Sequence, residues 1–226
     1  MQRMVVLANS RKCGGYCLAG KALDLAGRVG GWVRPVTGCA ADGLPRQRTL
    51  CSDGRQAAVL DVVSLEWGRS EPHLHQRENC LIGPAVLERC GRVLWDDLSL
   101  LADRAPTGLW INGHSTHGGL NDRVPVPALS GLHGSLYLVA VHELVLYSRP
   151  GHGNQQMTFR ADFCIGQQRY NLALTDTVAT FWLQTVQRLE LADAYLCVSL
   201  AVPFRDGFAY KLATAVITKG RAGSVV

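Results

Sequence analysis

No apolar run in this sequence approaches the roughly 20 residues that a membrane-spanning helix needs, so no membrane partner is expected. The apolar part of the opening stretch, Met1–Asn9, is too short for a secretory signal, and a cytoplasmic protein is the simplest expectation. Marks of catalysis are missing as well. G-x-x-x-x-G-K-[ST], G-x-S-x-G and H-E-x-x-H are absent, and so is a paired-carboxylate motif. Those absences argue against P-loop, hydrolase-elbow and zincin chemistry, and no cofactor is implied. No internal repeat or low-complexity tract is visible. The eight cysteines include no C-x-x-C pair, and a disulfide framework belongs to shorter secreted chains. Lysine is scarce too, supplying four of the 23 basic residues.

What is present is a large apolar fraction. Hydrophobic residues make up 47% of the 226, enough for a packed core in one large domain or two small ones. Cys164 and Cys197 sit in apolar runs and read as small buried hydrophobes. Cys13 and Cys17 with a histidine are a zinc alternative, but no second ligand pair stands at finger-like spacing. The expectation is therefore reduced, metal-free cysteines. Charge is uneven. Residues 1–60 hold nine Lys/Arg against three Asp/Glu, whereas residues 61–226 hold fourteen against fifteen. A local basic excess is either an electrostatic footprint for phosphate or a solvated arginine-rich surface.

The last third is the most legible part. Leu136–Tyr147 is apolar and β-branched, Met157–Ile165 and Arg169–Leu174 form a hairpin about Gly166, and Ala194–Leu200 and Phe208–Ile217 are two further strands. Between them Thr175 or Asp176 offers an N-cap. The helix behind it sets Val178, Phe181, Trp182, Thr185, Val186 and Leu189 on one face. Three strands, a helix and two strands is the order of an OB-fold, a small barrel that commonly binds oligonucleotides.

Earlier, Met4–Ala8 reads as a strand that ends in Asn9, Ser10, Arg11 and Lys12. The glycine-containing stretch Cys13–Lys21 follows, read either as a Gly-Gly turn or as a polar loop. Those polar groups beside Gly14-Gly15 can hold a phosphate through side chains and backbone N–H groups, or merely shape the strand exit. Gly31–Val36 is a second strand in which Trp32 is a base-stacking candidate or a core residue. Residues 37–56 form a mobile loop carrying Arg46, Arg48 and Arg55, and Ala57–Trp67 is a third strand. His73 and His75 lie at i and i+2, a weak metal signal. Pro84–Asp103 has the 3.6-residue period of an amphipathic helix, with Val86, Leu87, Cys90, Val93, Leu94, Leu98 and Leu101 on its apolar side. Gly108–Pro127 is a loop containing His114 and His117 and is the natural domain boundary. Gly220–Val226 reads as a frayed tail.

Several pieces together resemble the bacterial family of the dual OB-containing domain. They are Leu7–Lys12 with Gly14–Cys17, Gly31–Val36, Gln76–Asn79, Asn121–Val124, Tyr170–Asp176, and Ser199-Leu200 with Tyr210–Leu212. The resemblance covers nearly the whole chain. It implies a mainly β protein of two tandem OB-like barrels, an N-terminal one over 1–127 and a C-terminal one over 128–226. It also implies a role with nucleic acid, in a setting of prokaryotic defence, with a protein encoded nearby as a possible partner. The family pattern favours proline where this chain has Thr177.

The expected function is binding of RNA or single-stranded DNA, with Arg11, Lys12 and Arg34 on phosphates and Trp32 as a stacking platform. An alternative is a sensor for a small nucleotide or modified base held by Asn9, Ser10, Gln76, Asn79, Thr175 and Asp176. Arg123 and Lys211 complete the candidate binding residues. A third reading is an enzyme acting on nucleic acid through Asp61, Asp122 or Asp176.

Overall fold

A computed structural model describes residues 1–12, 14–38, 43–105, 108–151 and 157–223. The chain forms two compact units: Met1–Leu101 with His133–Ser135 and Lys219–Val226, and Ala102–Leu132 with Leu136–Thr218.

The first unit is built on β1 (Gln2–Lys12), followed by β2 (Gly15–Leu23), β3 (Val29–Val36), β4 (Asp61–Leu65), β5 (Trp67–Ser70), β6 (Asn79–Ile82) and β7 (Glu88–Arg92). β1 pairs antiparallel with both β2 and β4, β2 with β3, and β5 with β6, while β3 and β6 run parallel. Only Glu66 separates β4 from β5, so they are halves of one broken strand and the sheet returns on itself. At the break the Gln2 side-chain amide donates to the Trp67 carbonyl and accepts from its N–H, at 3.2 and 3.3 Å, replacing lost ladder bonds. Met4, Val6, Leu18, Val33, Val63 and Leu65 fill the core. A Cβ at Gly20 would collide with the Val5 carbonyl, so only glycine permits β1 and β2 to approach here.

Four expectations are corrected in this unit. The stretch offered alternatively as a polar loop is β2 from Gly15 onward. The segment 37–56 is partly built into the unit: Leu44, Thr49 and Cys51 are buried, and Arg46–Thr49 forms a 3-10 turn. The long helix over Pro84–Asp103 does not form. Its residues supply β7, a 3-10 turn at Trp95–Asp97 and the short α1 (Leu98–Leu101). The edge of β4 offers unpaired backbone groups, and β7 satisfies them antiparallel. Leu87, Leu98 and Leu101 are buried, but Val86, Leu94 and Leu100 are exposed, so the apolar period marks no single buried face. Finally, the expected tail is helical as far as it is described, over α3 (Lys219–Gly223), with Ala222 buried and the Arg221 carbonyl accepting from Arg92 at 2.9 Å, and residues 224–226 lie outside the described residues.

The second unit contains β8 (Arg123–Pro125), β9 (Leu136–Arg149), β10 (Thr158–Ile165), β11 (Gln168–Leu174), α2 (Thr177–Thr185), β12 (Arg188–Leu200) and β13 (Phe208–Ile217). β9–β10, β10–β11, β12–β13 and β9–β12 are antiparallel and β11–β13 is parallel, which closes a five-stranded barrel. This is the β-β-β-α-β-β order expected of an OB-fold. Leu144, Leu146, Phe163, Tyr170, Leu172 and Leu196 are among its core residues.

Asp176 caps α2, one oxygen accepting from Val178 N at 2.9 Å and the other from Val216 N on β13 at 2.7 Å. This double tie sets the rotation of the helix. Ala179 and Leu183 therefore face the core, and Phe181, expected inside, is 65% exposed, with Val178 and Val186 also exposed. The segment 102–127, placed with the first barrel from sequence, groups with the second unit. Leu109 enters its core and β8 adds to the edge of β13. No helix among the described residues is long and apolar enough to cross a membrane.

Candidate functional site

The β1–β2 hairpin sets Arg11 opposite Tyr16 and Lys12 opposite Gly15. Gly14 turns the chain with φ +70°. A Cβ on Gly15 would lie 2.5 Å from the Leu44 carbonyl, and its absence lets Leu44 dock beside Tyr16. The two residues exchange backbone hydrogen bonds of 2.9 and 2.7 Å. The result is a cleft of about 430 Å³ lined by Arg11, Lys12, Gly14, Gly15 and Tyr16. Among the described residues no acidic side chain is in this lining. Arg11 is exposed, and among the described residues no hydrogen bond or ion pair engages its guanidinium. An unengaged guanidinium, a lysine and close-approaching backbone suit an anion, phosphate above all.

Asn9 and Ser10, which precede Arg11 on β1, are held within the fold. Asn9 Nδ2 donates to the Ala57 carbonyl at 2.6 Å, and Ser10 is buried within β1. Trp32 is half-buried, and Lys21, its cross-strand partner, holds Nζ 5.4 Å from the ring centroid. That cation covers part of the surface a base would use.

Arg34 was expected on a phosphate, but it is 2% exposed and ion-paired to Glu78 at 2.8 Å. Its NH1 also lies 3.4 Å from Asn79 Oδ1. Glu78 in turn accepts from the Ser135 hydroxyl. Gln76 and Asn79 are buried too. Arg34 and Asn79 belong to an interior polar cluster, apart from the Arg11–Lys12 cleft.

In the second unit Lys211 has no exposure, and its ammonium donates to Leu109 O, Ile111 O and Asn112 Oδ1 at 2.9, 2.8 and 2.9 Å. Burial pushes its pKa down to about 7, with the Asp122 carboxylate pulling the other way. Tyr170 OH accepts from Leu109 N and Asn112 Nδ2, both at 2.8 Å, so lysine and tyrosine together pin the 109–112 segment. Thr175 donates its N–H to the Ala213 carbonyl at 2.8 Å. Arg123 lies 4.0 Å over the Phe208 ring and 3.8 Å from Asp206. Thr175, Asp176 and Lys211 thus act within the barrel wall.

The three aspartates considered for catalysis are each engaged. Asp61 accepts from Arg89, and from Arg92 at 3.1 Å. Asp122 accepts from Thr116 N and Oγ1 at 2.8 and 2.6 Å and from Arg160 at 3.3 Å. Asp176 caps α2. Among the described residues no group of three or more His, Cys, Asp or Glu gathers around a metal-sized space. Cys13, one half of the zinc alternative, lies outside the described residues.

Sequence reasoning missed Tyr16 in the cleft. Recognising Gly14-Gly15 as a hairpin turn would have paired it with Arg11. It also missed the aromatic group of Phe204, Phe208 and Tyr210, although Asp206-Gly207 flanked by aromatics is a turn signal.

The family model described as the dual OB-containing domain matches residues 2–216. No curated protein and no solved structure matches the chain.

Proposed function

We propose that this chain, which belongs to the dual OB-containing domain family, binds RNA or single-stranded DNA and grips its phosphates with Arg11 and Lys12. OB barrels bind nucleic acid or other ligands in general, and their loops between the first two strands commonly take part. The cleft at the tip of the β1–β2 hairpin stands at that loop of the first barrel. The observation that carries the reading is its lining: two cations, two glycines and a tyrosine, with no carboxylate among the described residues. Phosphate oxygens meet a forked guanidinium, a point-charge ammonium and closely approached backbone there. Sequence is not read by such contacts, so binding is expected to be sequence-tolerant and salt-dependent.

The test is a titration of purified protein with fluorescent single-stranded RNA, single-stranded DNA and duplex across a salt series. Single strands should bind at low salt, with the logarithm of affinity falling by about 0.7 per phosphate contact for each unit of log salt. Absence of binding to every single strand at low salt overturns the proposal. A mononucleotide that raises the melting temperature while no polymer binds would assign the cleft to a free nucleotide instead.

A further inference from the structure

We infer that the second unit carries a nucleobase-stacking site of its own, centred on Phe204. This rests on the reading that the chain binds single-stranded nucleic acid, and it assigns the base contact to residues distinct from the phosphate cleft. Phe204 is 64% exposed, yet its backbone is tightly held. Its N–H donates to the Phe208 carbonyl at 2.8 Å, and its carbonyl accepts from Gly207 N at 3.1 Å. Gly207 closes the turn at φ +82° and is anchored in turn by Val126 N, 3.0 Å from its carbonyl. An aromatic ring on a fixed turn is presented to solvent.

The ring has organised neighbours. Tyr210 meets it edge-on, with centroids 6.3 Å apart and planes at 78°. The Tyr210 hydroxyl donates to Asp206 Oδ2, which fixes that ring, while Asp206 Oδ1 accepts from Phe208 N at 3.2 Å. Arg123, over the Phe208 ring, also faces Asp206. Arg205, next to Phe204 at the turn tip, is exposed, and no hydrogen bond or ion pair engages its side chain among the described residues. A preset aromatic face beside an unengaged guanidinium matches one unpaired base and its flanking phosphate. Stacking on aromatic rings is tolerant of base identity, and ordering an already rigid ring costs little entropy.

The experiment uses the full chain and three variants: Phe204→Ala, Phe204→Trp, and the double change Arg11→Glu with Lys12→Glu. Two labelled strands of about 12 nucleotides, within OB-fold site sizes, serve as probes. One carries bases and the other is abasic. Phe204→Ala should weaken the base-bearing strand about 5- to 150-fold, the cost of roughly one stacked base. The abasic strand, with no ring to stack, should bind Phe204→Ala as it binds the wild type. Phe204→Trp should restore base-bearing affinity. The double reversal should weaken both strands. Equal losses on both strands with Phe204→Ala, or no loss on either, overturn the stacking site and leave the phosphate cleft standing. Failure of the wild type to bind either strand removes both proposals. A change in self-association with Phe204→Ala, without a change in strand binding, assigns Phe204 to a protein contact and overturns the inference.

Discussion

Replacing Lys211 by methionine should remove a pH dependence built into the second barrel. The lysine is fully enclosed, and burial lowers its pKa from 10.5 to about 7. In the unfolded chain it titrates near its ordinary value. Between these two values the unfolded state binds more protons than the folded state, so stability rises with pH through that interval. The contribution is complete above pH 10.5 and is lost as pH falls through about 7. At about 1.4 kcal/mol per pH unit, the interval from about 7 to 10.5 sets an upper bound of about 5 kcal/mol. Three acceptors at 2.8–2.9 Å favour the ammonium and reduce it. A gain of about 2 kcal/mol for the wild type between roughly pH 7.5 and 9.5 is the working expectation. Urea denaturation followed by tryptophan fluorescence, at several pH values and in both proteins, reads it. Lys211→Met should flatten that rise and leave the Leu109, Ile111 and Asn112 oxygens without their donor. Parallel stability–pH curves for the two proteins would refute the reasoning.

The Arg34–Glu78 pair should behave as an interior ion pair: Arg34→Met leaves a buried carboxylate and should cost about 3–5 kcal/mol in urea denaturation. Asp176→Ala removes the α2 cap and the acceptor for Val216 N, so the loss should reach the upper end of the capping range, about 2 kcal/mol, in the same assay. Reversing Arg11 and Lys12 to glutamate should lower the salt slope of single-strand binding by about 1.4, two contacts at roughly 0.7 each, with the thermal midpoint unchanged. A reversal at Arg169, which is exposed and paired to Asp162 at 2.9 Å, is the matched control and should change the slope less.

The architecture of the second barrel was legible because its signals are local. Alternating β-branched runs, the Gly166 turn and the Asp176 cap each act within a few residues, and their order specifies the closed sheet. The first barrel was less legible. Its fourth strand breaks at Glu66, and β7 is a strand only because the edge of β4 needs a partner, so the helical period over Pro84–Asp103 misled. The Arg11–Lys12–glycine stretch was visible as an anion-binding candidate from residue types alone, and the hairpin brought Tyr16 to it. Residue type did not separate Arg34 from Arg11. Glu78, 44 positions away in sequence, neutralises Arg34 in the interior, whereas the same charge on Arg11 faces solvent. Lys211 and Asp176 follow the same rule: their partners at Leu109 and Val216 are remote along the chain. Local patterning determined the strands, turns and cap. Long-range pairing decided which charges are enclosed and which remain able to meet a phosphate, because solvation depends on what packs around a side chain and not on its own identity.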